Sequence, residues 1–275
     1  MNGRENWRGT VERDRRAATA AGRAQSGYFS IEGIRLHERA LRAGWRVETA
    51  VLGRSFSQDL SPRIQSLLQD LQQAACSLVP IPDEVRADLT GGRDLGAIIG
   101  LLPLPETLSL FEVIEDTTAE PPLLLVAAGV KDPGNTGALM RTALASGATA
   151  FIACGTCDPF HPKAVRTSMG SLFKLPVVTA GSADELLPQL ATYGIQSVGL
   201  AVGGAVLLPQ VETAEKGTAV VVGSEAWGLS PAVQTALDCL VSIPMREDVD
   251  SFSVNAAAAI ALYEIGLRRF IEDQA

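Results

Sequence analysis

Three short segments hold residue types that could do chemistry. Asp132-Pro-Gly-Asn-Thr-Gly-Ala-Leu-Met-Arg141 places Asn135 and Arg141 six residues apart, among glycines that let backbone approach a ligand closely. If a helix starts near Asn135, its N-terminal end attracts anions, and an arginine can fork onto a phosphate. Standing alone, the segment reads better as a Gly-rich turn ahead of an exposed helical arginine. Val220-Val-Val-Gly-Ser-Glu-Ala-Trp-Gly-Leu229 runs an apolar strand into Gly223 and then Glu225, so the carboxylate stands just past a strand end; a solvated turn carboxylate is the plainer alternative. Ser242-Ile-Pro-Met-Arg-Glu-Asp-Val-Asp-Ser-Phe-Ser-Val-Asn255 stops a strand at Pro244, follows it with an acidic loop, and offers Ser251 or Ser253 as the cap of a last, Ala-rich helix. The acids there could simply satisfy that helix's dipole, and the Ala-rich face suits packing against another helix, including one from a second subunit.

Other chemistries leave no trace. There is no G-x-G-x-x-G after a strand, no G-x-x-x-x-G-K-[ST] and no G-x-S-x-G elbow. His37 and His161 fall in separate halves, and Cys154-Gly-Thr-Cys157 supplies two thiols where zinc takes four ligands, so no metal site is expected.

The elements that must position these residues are short and alternate. Before residue 103 the pattern gives strands at Tyr28–Ile31, Val47–Leu52, Cys76–Ile81 and Gly96–Leu102, with helices Glu32–Arg42 and Ser61–Ala74. After residue 121, strands are expected at Leu123–Ala127, Ala150–Ala153, Val177–Thr179, Ile195–Ala201, Ala219–Gly223 and Leu240–Ile243. Helices are expected at Thr136–Ser146, Ala164–Met169, Ala183–Ala191, Pro231–Leu237 and Val254–Phe270. That alternation predicts a parallel sheet with helices on its faces, and in such sheets ligands sit at the carboxyl ends of the strands. The loops after Ala127, Ala201, Gly223 and Ile243 are therefore the ones to watch. Residues 103–120, bounded by proline and acidic within, read as a linker. The chain then divides into a basic tail (1–24), a small α/β unit (25–102), the linker (103–120) and a larger unit (121–275).

Composition bounds the class. Across 275 residues, 47% hydrophobic and 20% charged content excludes a disordered chain, and 5% aromatics require an aliphatic core. No apolar run approaches the ~20 residues that span a bilayer, and no secretory leader is visible, so a cytoplasmic protein is expected. The net charge of −8 argues globally against nucleic acid, but residues 1–60 carry 11 Arg against 7 acids. A phosphate backbone responds to such local excess. A merely solvated basic tail is as good a reading on these residues.

Together and in this order, the three segments resemble the signature motifs of the SpoU (TrmH-like) family of RNA 2′-O-ribose methyltransferases, in the SPOUT superfamily. Val165-Arg-Thr-Ser-Met-Gly-Ser-Leu-Phe-Lys-Leu-Pro176 looks like a further family segment, and Tyr28-Phe-Ser-Ile-Glu-Gly-Ile-Arg35 resembles the attached substrate-binding domain. The resemblance implies an α/β fold whose C-terminal parallel-sheet SPOUT domain carries a deep trefoil knot, preceded by a small N-terminal α/β domain. It implies S-adenosyl-L-methionine as cofactor, RNA as substrate with rRNA favoured over tRNA, a homodimer, and no membrane or metal. Matching positions make Asn135, Arg141, Glu225 and Ser251 catalytic candidates, and Ala201, Gly223, Ile243 and Phe252 cofactor contacts. Arg8, Arg13, Arg15, Arg16, Arg23 and Arg35 become candidate RNA contacts. The third motif departs from the family's Ser-Leu-Asn-Val-Ser: Ser253 stands in place of Asn and Asn255 in place of Ser, while Glu247 replaces a glycine. Ser253 and Glu247 motivate one alternative, a catalytically weakened RNA-binding relative; a tRNA enzyme or an rRNA methyltransferase conferring antibiotic resistance are further alternatives that differ in the target RNA.

Overall fold

The computed structural model describes residues 7–58, 61–93, 98–115, 121–212 and 214–272, the last six by backbone alone. Residues 1–6 of the expected tail, Gly96 at the head of the fourth expected strand and 116–120 of the expected linker lie outside the described residues. Two units pack separately. One runs to Glu106 and takes in Phe160–Phe173; the other comprises Thr107–Pro159 and the chain from Lys174 onward. Nothing in the sequence pattern signals that a segment embedded in the second half packs with the first.

In the first unit the order is α1 (Trp7–Ala17), α2 (Ala20–Ser26), β1 (Tyr28–Glu32), α3 (Ile34–Arg42), β2 (Thr49–Gly53), α4 (Arg54–Ser57), α5 (Pro62–Gln73), β3 (Ser77–Ile81), α6 (Asp83–Leu89) and β4 (Ile98–Pro103). The sheet order is β1-β4-β2-β3, with β4 antiparallel to both neighbours and β2 parallel to β3. Residues 7–26 are thus two helices rather than a tail. Val11 inserts among Val51, Val79, Ile81 and Ile99, and that burial holds α1 on the sheet. Trp45 donates from Nε1 to the Phe173 carbonyl at 2.9 Å, and Phe160 meets Phe29 edge-on at 5.1 Å, so aromatic contacts secure the embedded segment.

The second unit, with that segment, runs α7 (Leu110–Glu115), β5 (Leu123–Ala128), α8 (Pro133–Ala145), β6 (Ala150–Cys154), α9 (Pro162–Thr167, of the first unit), β7 (Val177–Ala180), α10 (Ala183–Thr192), β8 (Gln196–Leu200), β9 (Val206–Leu207), β10 (Thr218–Val222), α11 (Pro231–Ala236), β11 (Cys239–Ser242) and α12 (Val254–Glu272). The expected linker contains α7, whose Leu110 and Val113 enter the core. α8 starts three residues earlier than expected, because Asp132 caps it and Pro133 fits its first turn.

All seven strands are parallel, in the order β7-β6-β5-β10-β8-β11-β9. β5 and β10, far apart in sequence, lie side by side, with Val222 opposite Ala127. From β5 the chain builds outward to β6 and β7 on one side, so the reversal of strand order lies at β5 and β10. Their carboxyl ends form a crevice of the kind where such sheets bind ligands. Farther along, β11 slots between β8 and β9, which follow one another in the chain. The connection between them therefore passes over β11. Gly204 lies so close there that a Cβ would stand 2.5 Å from the Val241 carbonyl carbon, and Ser242 Oγ donates to the Gly204 carbonyl at 3.1 Å. α12 packs on α8, so the small face of the last helix is met within the same chain.

Candidate active site

At the crevice the two strand-end loops are tied to each other. Asp132 caps α8 by accepting from the Asn135 backbone N–H at 2.9 Å. Glu225, reaching over from the loop after β10, accepts from the backbone N–H groups of Lys131 (3.1 Å) and Asp132 (3.0 Å) and from Asn135 Nδ2 (2.9 Å). Partial burial pushes the Glu225 carboxyl up, but these hydrogen bonds, with Asn135 foremost, outweigh it and hold the group below the usual carboxylate range. Glu225 is therefore a charged brace at neutral pH.

The brace sets a polarity that propagates. Because the Asn135 amide gives its N–H to Glu225, its Oδ1 faces away and accepts from Asn255 Nδ2 at 3.0 Å. Asn255 sits in the first turn of α12, which α8 packs against. A two-residue step on a helix turns about 200°, which argues against Asn255 replacing an amide at position 253. It does not replace it: Ser253 accepts from the Ala256 backbone N–H at 3.3 Å as the helix cap, and Asn255 brings its amide to the site from its own direction. The sequence marks Asn255 only as a departure; packing between α12 and α8, which no local pattern reports, makes it part of the site.

Beside this chain of groups lies a cavity of about 390 Å³. Ala201, Gly223, Ile243 and Phe252 all line it, as do Glu225 and Ser251. Its walls come from the ends of β8, β10 and β11 and from the approach to α12. The loop Ser224–Gly228 is folded back on itself by reciprocal Ser224–Gly228 backbone hydrogen bonds of 2.9 and 3.0 Å. Gly223 makes that fold possible, since a Cβ there would lie 2.1 Å from the Gly228 carbonyl carbon.

Arg141 stands apart from the brace. It lies on α8, exposed, and among the described residues it makes no hydrogen bond or ion pair. Glu225 thus holds backbone and Asn135, not the Arg141 guanidinium. Cys154 is buried, and burial pushes its thiol up to about 12, which keeps it out of thiolate chemistry. Among the described residues no cluster of His, Cys, Asp or Glu could hold a metal, and no helix is long and apolar enough to cross a membrane.

The N-terminal arginines separate into types. Arg8 lies over Trp7, and Arg35 is exposed. Arg13 pairs with Glu48 at 2.8 Å over the Tyr28 ring, Arg15 with Asp88 at 3.0 Å and Arg16 with Glu12 at 3.4 Å. Arg23 is 2% exposed and donates to the Ala17 carbonyl at 2.9 Å. A guanidinium enclosed in that way serves the fold, so Arg23 is withdrawn as an RNA contact.

The profile of the SpoU rRNA Methylase family matches residues 122–263. The chain is 31% identical over 212 residues to the 23S rRNA (guanosine-2′-O-)-methyltransferase RlmB of Ralstonia nicotianae, covering 76% of this chain and 84% of that protein. It is 29% identical over 260 residues to the 23S rRNA (uridine(2479)-2′-O)-methyltransferase of Streptomyces viridochromogenes, covering 88% and 83%. The crystal structure of the SpoU methyltransferase AviRb from Streptomyces viridochromogenes in complex with AdoMet superposes with a TM-score of 0.82 at 26% identity, covering 98% of this chain and 99% of that one. With the braced crevice at the sheet's reversal and a family profile spanning more than half its length, this chain belongs to the SpoU rRNA methylase family.

Proposed function

We propose that this protein transfers a methyl group from S-adenosylmethionine to a ribose 2′-hydroxyl of RNA, with ribosomal RNA as the preferred substrate. The observation that carries the reading is the Glu225–Asn135–Asn255 chain of hydrogen bonds standing beside a cavity at the carboxyl ends of β8, β10 and β11. The relatives named above support it, being 23S rRNA 2′-O-methyltransferases.

The cavity fits the cofactor. Apolar side chains and strand-end backbone suit a bound adenosyl group, and its volume lies within the roughly 300–1,000 Å³ of small-molecule sites. Ala201, Gly223, Ile243 and Phe252 would hold it, with Ser251 at the wall. When bound, the cofactor supplies an electrophilic sulfonium methyl.

The chain's residues do the rest. Arg141 stays protonated, so it is no free base. It grips an RNA phosphate and stabilises the negative charge growing on the 2′-oxygen, while that phosphate receives the proton. Asn135, its amide held by Glu225 and Asn255, orients the target ribose. The amide that Asn255 brings favours an active enzyme over a weakened relative.

Two features of the assembly belong to the same proposal. The passage of the β8–β9 connection over β11, with Gly204 against Val241 and Ser242, supports a C-terminal segment threaded into a knot. Tyr263, 64% exposed on α12, supports a homodimer through the C-terminal unit. Mapping ribose methylation in RNA from cells with and without the gene tests the function. One 2′-O-methyl position absent from the deletion strain's rRNA is expected; identical maps would remove the proposal.

A further inference from the structure

Three tryptophans occur in the chain, and one of them is out of place. Trp7 and Trp45 are half-buried in the first unit, whereas Trp227 is 90% exposed, in a loop otherwise made of small residues and Glu225. That loop is firmly built. Its ends are joined by the Ser224–Gly228 pair, the Trp227 backbone N–H donates to Ser224 Oγ at 3.2 Å, and Glu225 is tied down by the loop after β5. A large apolar ring held in water on a fixed loop gains nothing for folding, and tryptophan is enriched at surfaces that meet a partner.

The surroundings say what is recognised. The loop is a shared wall between two cavities. One holds the cofactor candidates. The other, about 580 Å³, is bounded by the backbone of Gly129, Gly155 and Gly181 and by the polar side chains of Ser182, Asp184 and Ser230. Trp227 and Glu225 line both. Lys131 Nζ donates to the Gly155 carbonyl at 2.8 Å, while Asp184 has no hydrogen-bond partner among the described residues. A glycine-lined wall, an indole and an open acceptor suit a planar ring with an N–H edge. Resting on the methyltransferase reading, we infer that Trp227 is a stacking platform for an unstacked nucleobase of the substrate RNA, which enters the second cavity while its ribose lies toward Asn135. Stacking on an aromatic face tolerates any base, so affinity comes from Trp227.

The test compares wild type with Trp227→Ala and Trp227→Phe at fixed salt. Binding is measured to protein-free ribosomal RNA, to single-stranded oligoadenylate and, by calorimetry, to S-adenosylmethionine. Trp227→Ala should weaken RNA binding by roughly tenfold, the loss of one base–aromatic stack. Trp227→Phe should retain most of it, and cofactor affinity should not move. Oligoadenylate should quench indole fluorescence in wild type and leave Trp227→Phe unquenched. Unaltered RNA affinity in Trp227→Ala overturns the inference. So does a loss of cofactor affinity as large as the loss of RNA affinity, which would assign the indole to the cofactor rather than to a base, or a change of oligomeric state, which would make it a contact between copies. Quenching that persists in a protein unable to methylate RNA would sink the enzymatic reading and leave the stacking site standing.

Discussion

At the scale of single residues, the site divides into groups that hold and one that waits. Glu225, Asn135 and Asn255 hold one another, and Arg141 is left exposed. Arg141→Ala should lower methyl transfer by about 100-fold or more, as removing a group that stabilises transition-state charge does, with cofactor affinity unchanged. Arg141→Lys should rescue little, because an ammonium lacks the planar fork. Calorimetry beside single-turnover rates checks both; a parallel fall in affinity would place Arg141 in the cofactor cavity. Asn255→Ala frees the Asn135 amide to rotate, so turnover should drop by roughly tenfold while KM for the cofactor holds, the pattern of a positioning residue. Equal kcat in that variant would make the bond incidental. Asn135, Arg141 and Glu225 are legible as candidates through the family resemblance of the short segments that carry them, not from either segment alone. Asn255 is legible only as an oddity, since its partner lies 120 positions away and across a helix–helix contact.

At the scale of elements, the alternation of apolar strands and capped helices reads through well. The sequence pattern finds the six longer strands of the second unit to within a residue or two, because an all-apolar run such as Leu123–Ala128 has no other home than a buried strand. β9 escapes because two residues carry no period. α1 escapes because its charge suggests a solvated tail, whereas its Val11 and Asp14 face inward. That burial has a consequence for pH. Burial first, then the charge of Glu32, pushes Asp14 up to about 7, while burial holds His37 down to about 4. Between about pH 4 and 6.5, unfolding releases a proton at Asp14 and takes one up at His37, so the two slopes oppose each other. Asp14 costs stability as pH rises toward 7; His37 costs it as pH falls below 6.5. Asp14→Asn should therefore raise Tm most near pH 7, with the advantage shrinking toward pH 4.5. A difference in Tm constant across that range would show Asp14 is not titrating as described. Gly204→Ala belongs to the same scale. Its Cβ would collide with the β11 backbone, costing about 1–3 kcal/mol of stability by overpacking and weakening cofactor binding through displaced Ala201 and Val202. Unchanged melting would mean the crossing is loose.

At the scale of the whole molecule, the net charge of −8 sets the bulk of the chain against nucleic acid, so under the proposed function RNA contact falls to local basic residues such as the exposed Arg8 and Arg35. RNA affinity should fall steeply with salt. Replacing Arg8 and Arg35 by alanine should flatten that dependence by roughly 0.7–0.9 in log–log slope for each phosphate that is no longer neutralised. Arg23→Ala should instead lower Tm, since that side chain is enclosed. The most direct measurement on the central claim is product analysis. Purified protein, labelled S-adenosylmethionine and protein-free ribosomal RNA are incubated, and the RNA is digested to nucleosides and resolved by mass. A single 2′-O-methylnucleoside, absent with Arg141→Ala, is the predicted product; label on a nucleobase, or no label in RNA while the cofactor binds, would contradict it.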